Sequence, residues 1–248
     1  MSCLPTLRSF LLVLVGSCLF IELAHAQRKP GRINRSAKPG TEQTTEPLVD
    51  AKHLKTNQPQ PVEDPAFEAF GVYQATAPRA ARVDPSRTVL PLVLQANQRI
   101  ALIGNTLFDR GQHFGQIETL IQQAFPAHQL VFRNLSWSAD AIDVQPRPEN
   151  FADLEQHLTH EQVDVILAAF GFNESFAGKE GLPAFRQRLA SFLNDLRSKA
   201  FNGVGAPRIV LISPIANEDL PRVPAARLNN ENIALYAQAM REVAVEQQ

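Results

Sequence analysis

"RIALIGNTLFDR", Arg99 to Arg110, decides the fold. Arg99 to Ile103 is an apolar run of the kind a covered strand needs, and Gly104 ends it. A hydroxyl residue, Thr106, then stands at the head of a helical pattern carried by Leu107, Phe114, Ile117, Leu120, Ile121 and Phe125. Pro126 closes that pattern, so one helix is expected over 107–125. The same succession recurs along the chain. Gln129 to Arg133 reads as a second strand, and Val163 to Phe170 as a third, apolar enough to be covered on both faces. Arg208 to Ser213 reads as a fourth. Between them lie a short helix candidate from Phe151 to Leu158 and a helix opened by Pro183 at its first turn. The latter has an apolar face of Phe185, Leu189, Phe192, Leu193 and Leu196. Asn229 or Asn230 can cap a last helix running through Val243. Strands alternating with helices at these lengths predict an α/β fold, a parallel sheet with helices on both faces.

Such sheets bind ligands at the carboxyl ends of their strands. Three strand ends carry polar residues: Gly104-Asn105-Thr106, the stretch Asn134 to Asp140 ("NLSWSAD"), and Gly171-Phe172-Asn173-Glu174. They are expected to converge.

In order and spacing these three blocks resemble the SGNH, or GDSL-like, hydrolase family over roughly Gln98 to Val243. The wording is similar to divergent exported members of planctomycete type. The resemblance implies a three-layer, flavodoxin-like fold and hydrolysis of acyl or carbohydrate O-acetyl esters without a cofactor. It places Thr106 in the nucleophile position, the Ala139 N–H in the oxyanion position after the second strand, and Asn173 as a further oxyanion donor. Asn105, Trp137 and Glu174 fall where substrate would be contacted. The family's last block, Asp-x-x-His, has no counterpart, and neither has the strand before it. A truncated reading frame and a shortened pseudoenzyme both account for that. The alternative function is a non-catalytic module that keeps the pocket for a glycan or another ligand.

Chemistry says what each departure costs. Acyl transfer needs a nucleophile, a base and donors for the oxyanion. Threonine supplies a hydroxyl, crowded by its β-methyl. A backbone N–H at Ala139 serves only if that turn does not demand a positive φ. His113 lies two turns beyond Thr106, about 10 Å along a continuous helix and out of direct reach. His157 and His160 are placed only by a structure. Simpler roles compete throughout. Thr106-Leu-Phe-Asp109 fits a helix-capping signature. Asn173 and Glu174 can cap a turn, and Trp137 can pack at a strand end rather than stack on a sugar. Asp140 and Asp143 lack a paired carboxylate at a defensible spacing, which argues against glycosidase chemistry. No His, Cys and Asp cluster has metal-ligand spacing.

The remaining composition sets the surroundings. The chain has 248 residues, 44% hydrophobic and 20% charged, with net charge −1. That balance lacks the basic stripe a nucleic-acid partner requires. Residues 1–26 read as a secretory signal peptide: Arg8, an apolar stretch from Phe10 to Phe20, and Ala24-His25-Ala26 before Gln27. Both cysteines, Cys3 and Cys18, lie inside it. The mature chain is therefore expected to be exported, without a disulfide or a membrane span. Cys18 also sits in a weak lipobox-like context. Residues 27–88 read as a Pro- and polar-rich flexible or loosely draped extension, and 89–248 as the domain.

Overall fold

The computed structural model describes residues 64–247. The signal-peptide reading and most of the extension, up to residue 63, lie outside the described residues.

The strands are β1 (Ala81–Arg82), β2 (Arg99–Gly104), β3 (Val131–Asn134), β4 (Val165–Ala169), β5 (Lys199–Ala200) and β6 (Arg208–Leu211). The helices are α1 (Thr106–Gly111), α2 (Gln116–Ala124), α3 (Leu154–His160), α4 (Leu182–Arg197) and α5 (Ala226–Glu246). Four strands build the main sheet in the order β3-β2-β4-β6, every pair parallel. Counted along the chain this is second, first, third, fourth, the opening of the flavodoxin-type order. The fold is α/β, as the strand and helix pattern predicted.

Strand alternation divides the core into two layers. Ala101 and Ile103 of β2 and Ile166 and Ala168 of β4 face Phe185, Leu189 and Leu193 of α4 and Tyr236, Met240 and Val243 of α5. Ile100 and Leu102, with Val165, Leu167 and Ala169, face Phe108 of α1 and the half-buried Ile117 and Ile121 of α2. All five residues of β4 are buried, which is why its sequence shows an apolar run and no alternation.

Two helices differ from expectation. The helix predicted over 107–125 is broken at Gln112–Gly115, where Gly115 takes a left-handed φ of 60° and starts α2. The apolar period runs straight through the break, so periodicity alone could not show it. The last helix begins at Ala226 with no side-chain cap. Asn229 and Asn230 lie inside it, and Asn230 instead accepts from the backbone N–H of Asn217 at 2.7 Å. The short helix starts at Leu154, held by a reciprocal capping box between Asp153 and Gln156.

Residues 64–88 are tied to the domain. Val72 and Gln74 exchange backbone hydrogen bonds with Ala152 and Asn150, both at 2.8 Å. The buried Gln156 amide donates to the carbonyls of Gln74 and Ala77. Strand β1 pairs antiparallel with β5. Further on, the Ile209 N–H on the outer edge of β6 donates to the Thr88 hydroxyl at 3.0 Å. Residues 64–88 thus lie along the domain through these contacts. Among the described residues, no helix is long and apolar enough to cross a membrane.

Candidate active site

Gly104 ends β2 with φ 129°, and a Cβ there would collide with the Ala169 carbonyl oxygen at the end of β4. Only glycine lets the two strand ends close so tightly that the Asn105 N–H reaches that same oxygen, at 3.2 Å. Chain direction then changes abruptly, and Thr106 is the first residue of α1.

Thr106 does not cap its helix. The N-cap position belongs to Asn105, which makes no side-chain cap bond. The Thr106 hydroxyl donates instead to the carbonyl of Ser138, in the loop after β3, at 3.4 Å. Asp109, the other half of the capping signature, accepts from the Ser138 hydroxyl and from Gln112. The capping explanation of Thr106 therefore fails, because both its members turn toward other partners.

The Ser138 carbonyl is a meeting point. Asn173, just after β4, donates its side-chain amide to that oxygen at 3.1 Å and to the Asp140 carbonyl at 2.8 Å. Three strand ends thus converge on one short turn, with Thr106 and Asn173 sharing a single acceptor. Between the two clamped carbonyls lies Ala139. It is exposed, it is absent from the positive-φ residues, and its N–H has no partner among the described residues. Its N–H is thus unengaged among the described residues, at a φ that is not positive.

Two sequence expectations change. Both amide hydrogens of Asn173 are committed to the turn, so in this conformation Asn173 holds the loop that presents Ala139 rather than offering a free donor. Glu174 was expected to contact substrate. It is 7% exposed, and its two carboxylate oxygens accept from the N–H groups of Ile142 and Gly171 at 2.9 and 2.8 Å. Its capacity is spent on tying two loops together. Trp137 stands apart from the pocket described below. Its ring lies under the Arg147 guanidinium at 4.3 Å, and Arg147 is held bidentately by Asp140, which is almost fully buried. Trp137 also packs on Phe151.

Asn105 is the unusual member. It is 2% exposed, and its amide nitrogen has no hydrogen-bond partner. An unmet buried donor costs about 1–3 kcal/mol, so a ligand atom or ordered water that reaches it is favoured. Asn105 and Thr106 line a cavity of about 360 Å³ whose other walls are Leu107, Arg110, Phe114, Phe172 and the stretch 214–217. Sequence reading missed these last residues. Two signals were present: Arg110 and Phe114 follow Thr106 at helical spacing of four and eight, and Pro214 to Asn217 follow the fourth strand, whose carboxyl end faces the same way.

Among the described residues no side chain accepts from the Thr106 hydroxyl. His113 is exposed in the turn between α1 and α2. His157 stacks on Phe151 at 5.2 Å, and its pKa is held below the usual histidine value, chiefly by burial and then by Arg147 and His160. Among the described residues, no group of three His, Cys, Asp or Glu could hold a metal ion.

No family model and no curated protein matches the chain. Several solved structures resemble it. "BT4096 a gut microbial diltiazem-metabolizing enzyme" is 18% identical with a TM-score of 0.44, over 65% of this chain and 37% of that one, so the chain spans well under half its length. A lipase, Lip_vut3 from a goat rumen metagenome, is 10% identical with a TM-score of 0.42, covering 59% of this chain and 75% of that one. A protein from Slackia heliotrinireducens, provisionally classed as an SGNH hydrolase, is 13% identical with a TM-score of 0.42, covering 61% and 76%. Likeness at this level carries no argument about activity. The chain is an α/β protein, and what its site does has to be read from its own residues.

Proposed function

We propose that this chain is an exported SGNH-type ester hydrolase domain acting on small acyl esters, with Thr106 as the nucleophile. The observation that carries the reading is the shared Ser138 carbonyl. It ties the Thr106 hydroxyl, which lines the pocket, to the turn that carries the free Ala139 N–H and the Asn173 clamp. The hydroxyl would lose its proton to solvent as it attacks the ester carbonyl, and the Ala139 N–H would donate to the oxyanion that forms. Collapse would expel the protonated alcohol, and water would then hydrolyse the acyl-threonine to the free acid. Asn105, with its unmet amide at the same wall, is the second donor. A pocket walled by leucine, phenylalanine and isoleucine suits an acyl group better than a sugar, and Trp137 is already occupied by Arg147.

Among the described residues no base stands beside Thr106, and that sets the expected speed. A hydroxyl nucleophile without its base works far below the about 10⁶-fold or more of a complete site. Hydrolysis of 4-nitrophenyl butyrate by the purified protein should therefore be slow but above buffer background. Thr106→Ala should bring it to background, and Thr106→Ser, which removes the crowding methyl, should raise it. Equal rates for the wild type and Thr106→Ala, both at background, would sink the reading. Export is supported by residues 1–26 alone. N-terminal sequencing of the mature protein should begin at Gln27, and a retained Met1 would refute it.

A further inference from the structure

The pocket beside Thr106 holds a charge that the hydrolase reading does not use. Arg110 is its one charged lining residue, and the guanidinium has no acidic partner among the described residues. Its neighbour Asp109 is engaged by Ser138 and Gln112. Arg110 lies four residues after Thr106, one turn along the same face of α1, about 6 Å in rise. Around it the surface is unusually apolar. Phe114 is 75% exposed and Ile215 62% exposed. Phe172 lines the wall and packs edge-on to Phe176, which is itself 60% exposed. Large apolar side chains left in water around a concave site mark a binding surface.

We infer that this pocket binds an amphiphilic carboxylate, its apolar body against Phe114, Phe172 and Ile215 and its carboxylate on Arg110. A planar guanidinium matches a carboxylate with two parallel hydrogen bonds. One cation among apolar walls fits one negative charge, and a more highly charged phosphate would find no second cation in the lining. The Asn105 amide adds an independent pointer to a ligand: a buried donor without an acceptor beside the cavity gains one when a ligand oxygen arrives. The inference deepens the hydrolase reading and rests on it for the substrate. If Thr106 attacks an ester, that ester carries a free carboxylate on the same molecule.

Binding is measured without turnover, so the two readings fail separately. Octanoate and its uncharged analogue octanamide are titrated into the full chain by calorimetry at low salt. Octanoate should bind about tenfold more tightly than octanamide, the increment expected of a charge-assisted pair. Arg110→Gln should abolish that difference, weakening octanoate about tenfold more than octanamide. Phe114→Ala should weaken both ligands to the same degree. Equal affinity of the two ligands for the wild type, or octanoate binding unaffected by Arg110→Gln, would overturn the inference. So would octanamide binding that Phe114→Ala leaves unchanged. Carboxylate-selective binding without any hydrolysis would leave the pocket assignment standing and remove the hydrolase.

Discussion

The two ends of the central sheet are built on opposite terms. At the amino ends of the strands, polar groups are met several times over. Asp164 accepts from the Arg99 N–H and from Asn202, each at 2.8 Å. Glu161 accepts from both Arg99 and Arg133, and Gln98 accepts from Arg208 and from the Gln95 N–H. At the carboxyl ends the tally reverses. Asn105 buries an amide nitrogen with no acceptor, Ala139 holds out a bare N–H, and Arg110 lacks a counter-charge. One end is satisfied and holds the strands in register. The other engages Asn173, Glu174 and Asp140 but leaves the groups of Asn105, Ala139 and Arg110 open, the buried Asn105 amide at a cost in stability, and has room for a ligand to meet them.

That contrast can be broken experimentally. Asp164→Ala should show the largest effect, a loss of about 2–3 kcal/mol in urea unfolding, since it strands the Arg99 N–H and the Asn202 amide together. Ligand binding at the far end should be unchanged, and a loss of under 0.5 kcal/mol, roughly the size of a neutral surface change, would show the amino end to be less committed than drawn. Asn105→Leu should move stability the other way. Removing an orphaned donor for an apolar side chain of similar size is expected to be neutral or to add up to about 1 kcal/mol. Hydrolysis should fall at the same time. A marked destabilisation would mean the amide has a partner after all.

The smallest effect concerns pH. The His157 pKa is lowered by burial, so the unfolded chain takes up its proton more readily than the folded one. Stability from this group is complete above the unfolded value, about 6.5, and is lost as pH falls through the lower folded value. His157→Gln should flatten the thermal-stability profile between about pH 5 and 7. A profile that keeps its full acid slope would assign that slope to other groups.

The sequence disclosed the sheet better than the site. Strand β4 could be read because burial on both faces leaves a bare apolar run, and Gly104 because a tight turn tolerates little else. The break before Gly115 was hidden because Phe114 and Ile117 keep the helical period on both sides of it. In the site, Thr106, Ala139 and Asn173 were legible as positions, since parallel strands deliver their carboxyl ends to one place. Their bonding was not. Nothing in Gly-Phe-Asn-Glu says that the asparagine amide will be taken by two carbonyls from another loop, or that the glutamate will be spent on Ile142 and Gly171. Those are contacts between segments far apart in the chain, and local pattern does not encode them.

The draped segment before β2 has a consequence for how the protein comes to be folded. Its partners are distant in sequence: Gln74 and Ala77 meet Gln156, Ala81 meets Ala200, and Thr88 meets Ile209. Contacts of such long separation slow folding, because chain entropy is spent before they form. During synthesis the segment emerges before every element it binds. Its first half can pair once residues 150–156 exist, while β1 and Thr88 wait for β5 and β6. Its last contact, Thr88 on Ile209, closes the outer edge of the sheet.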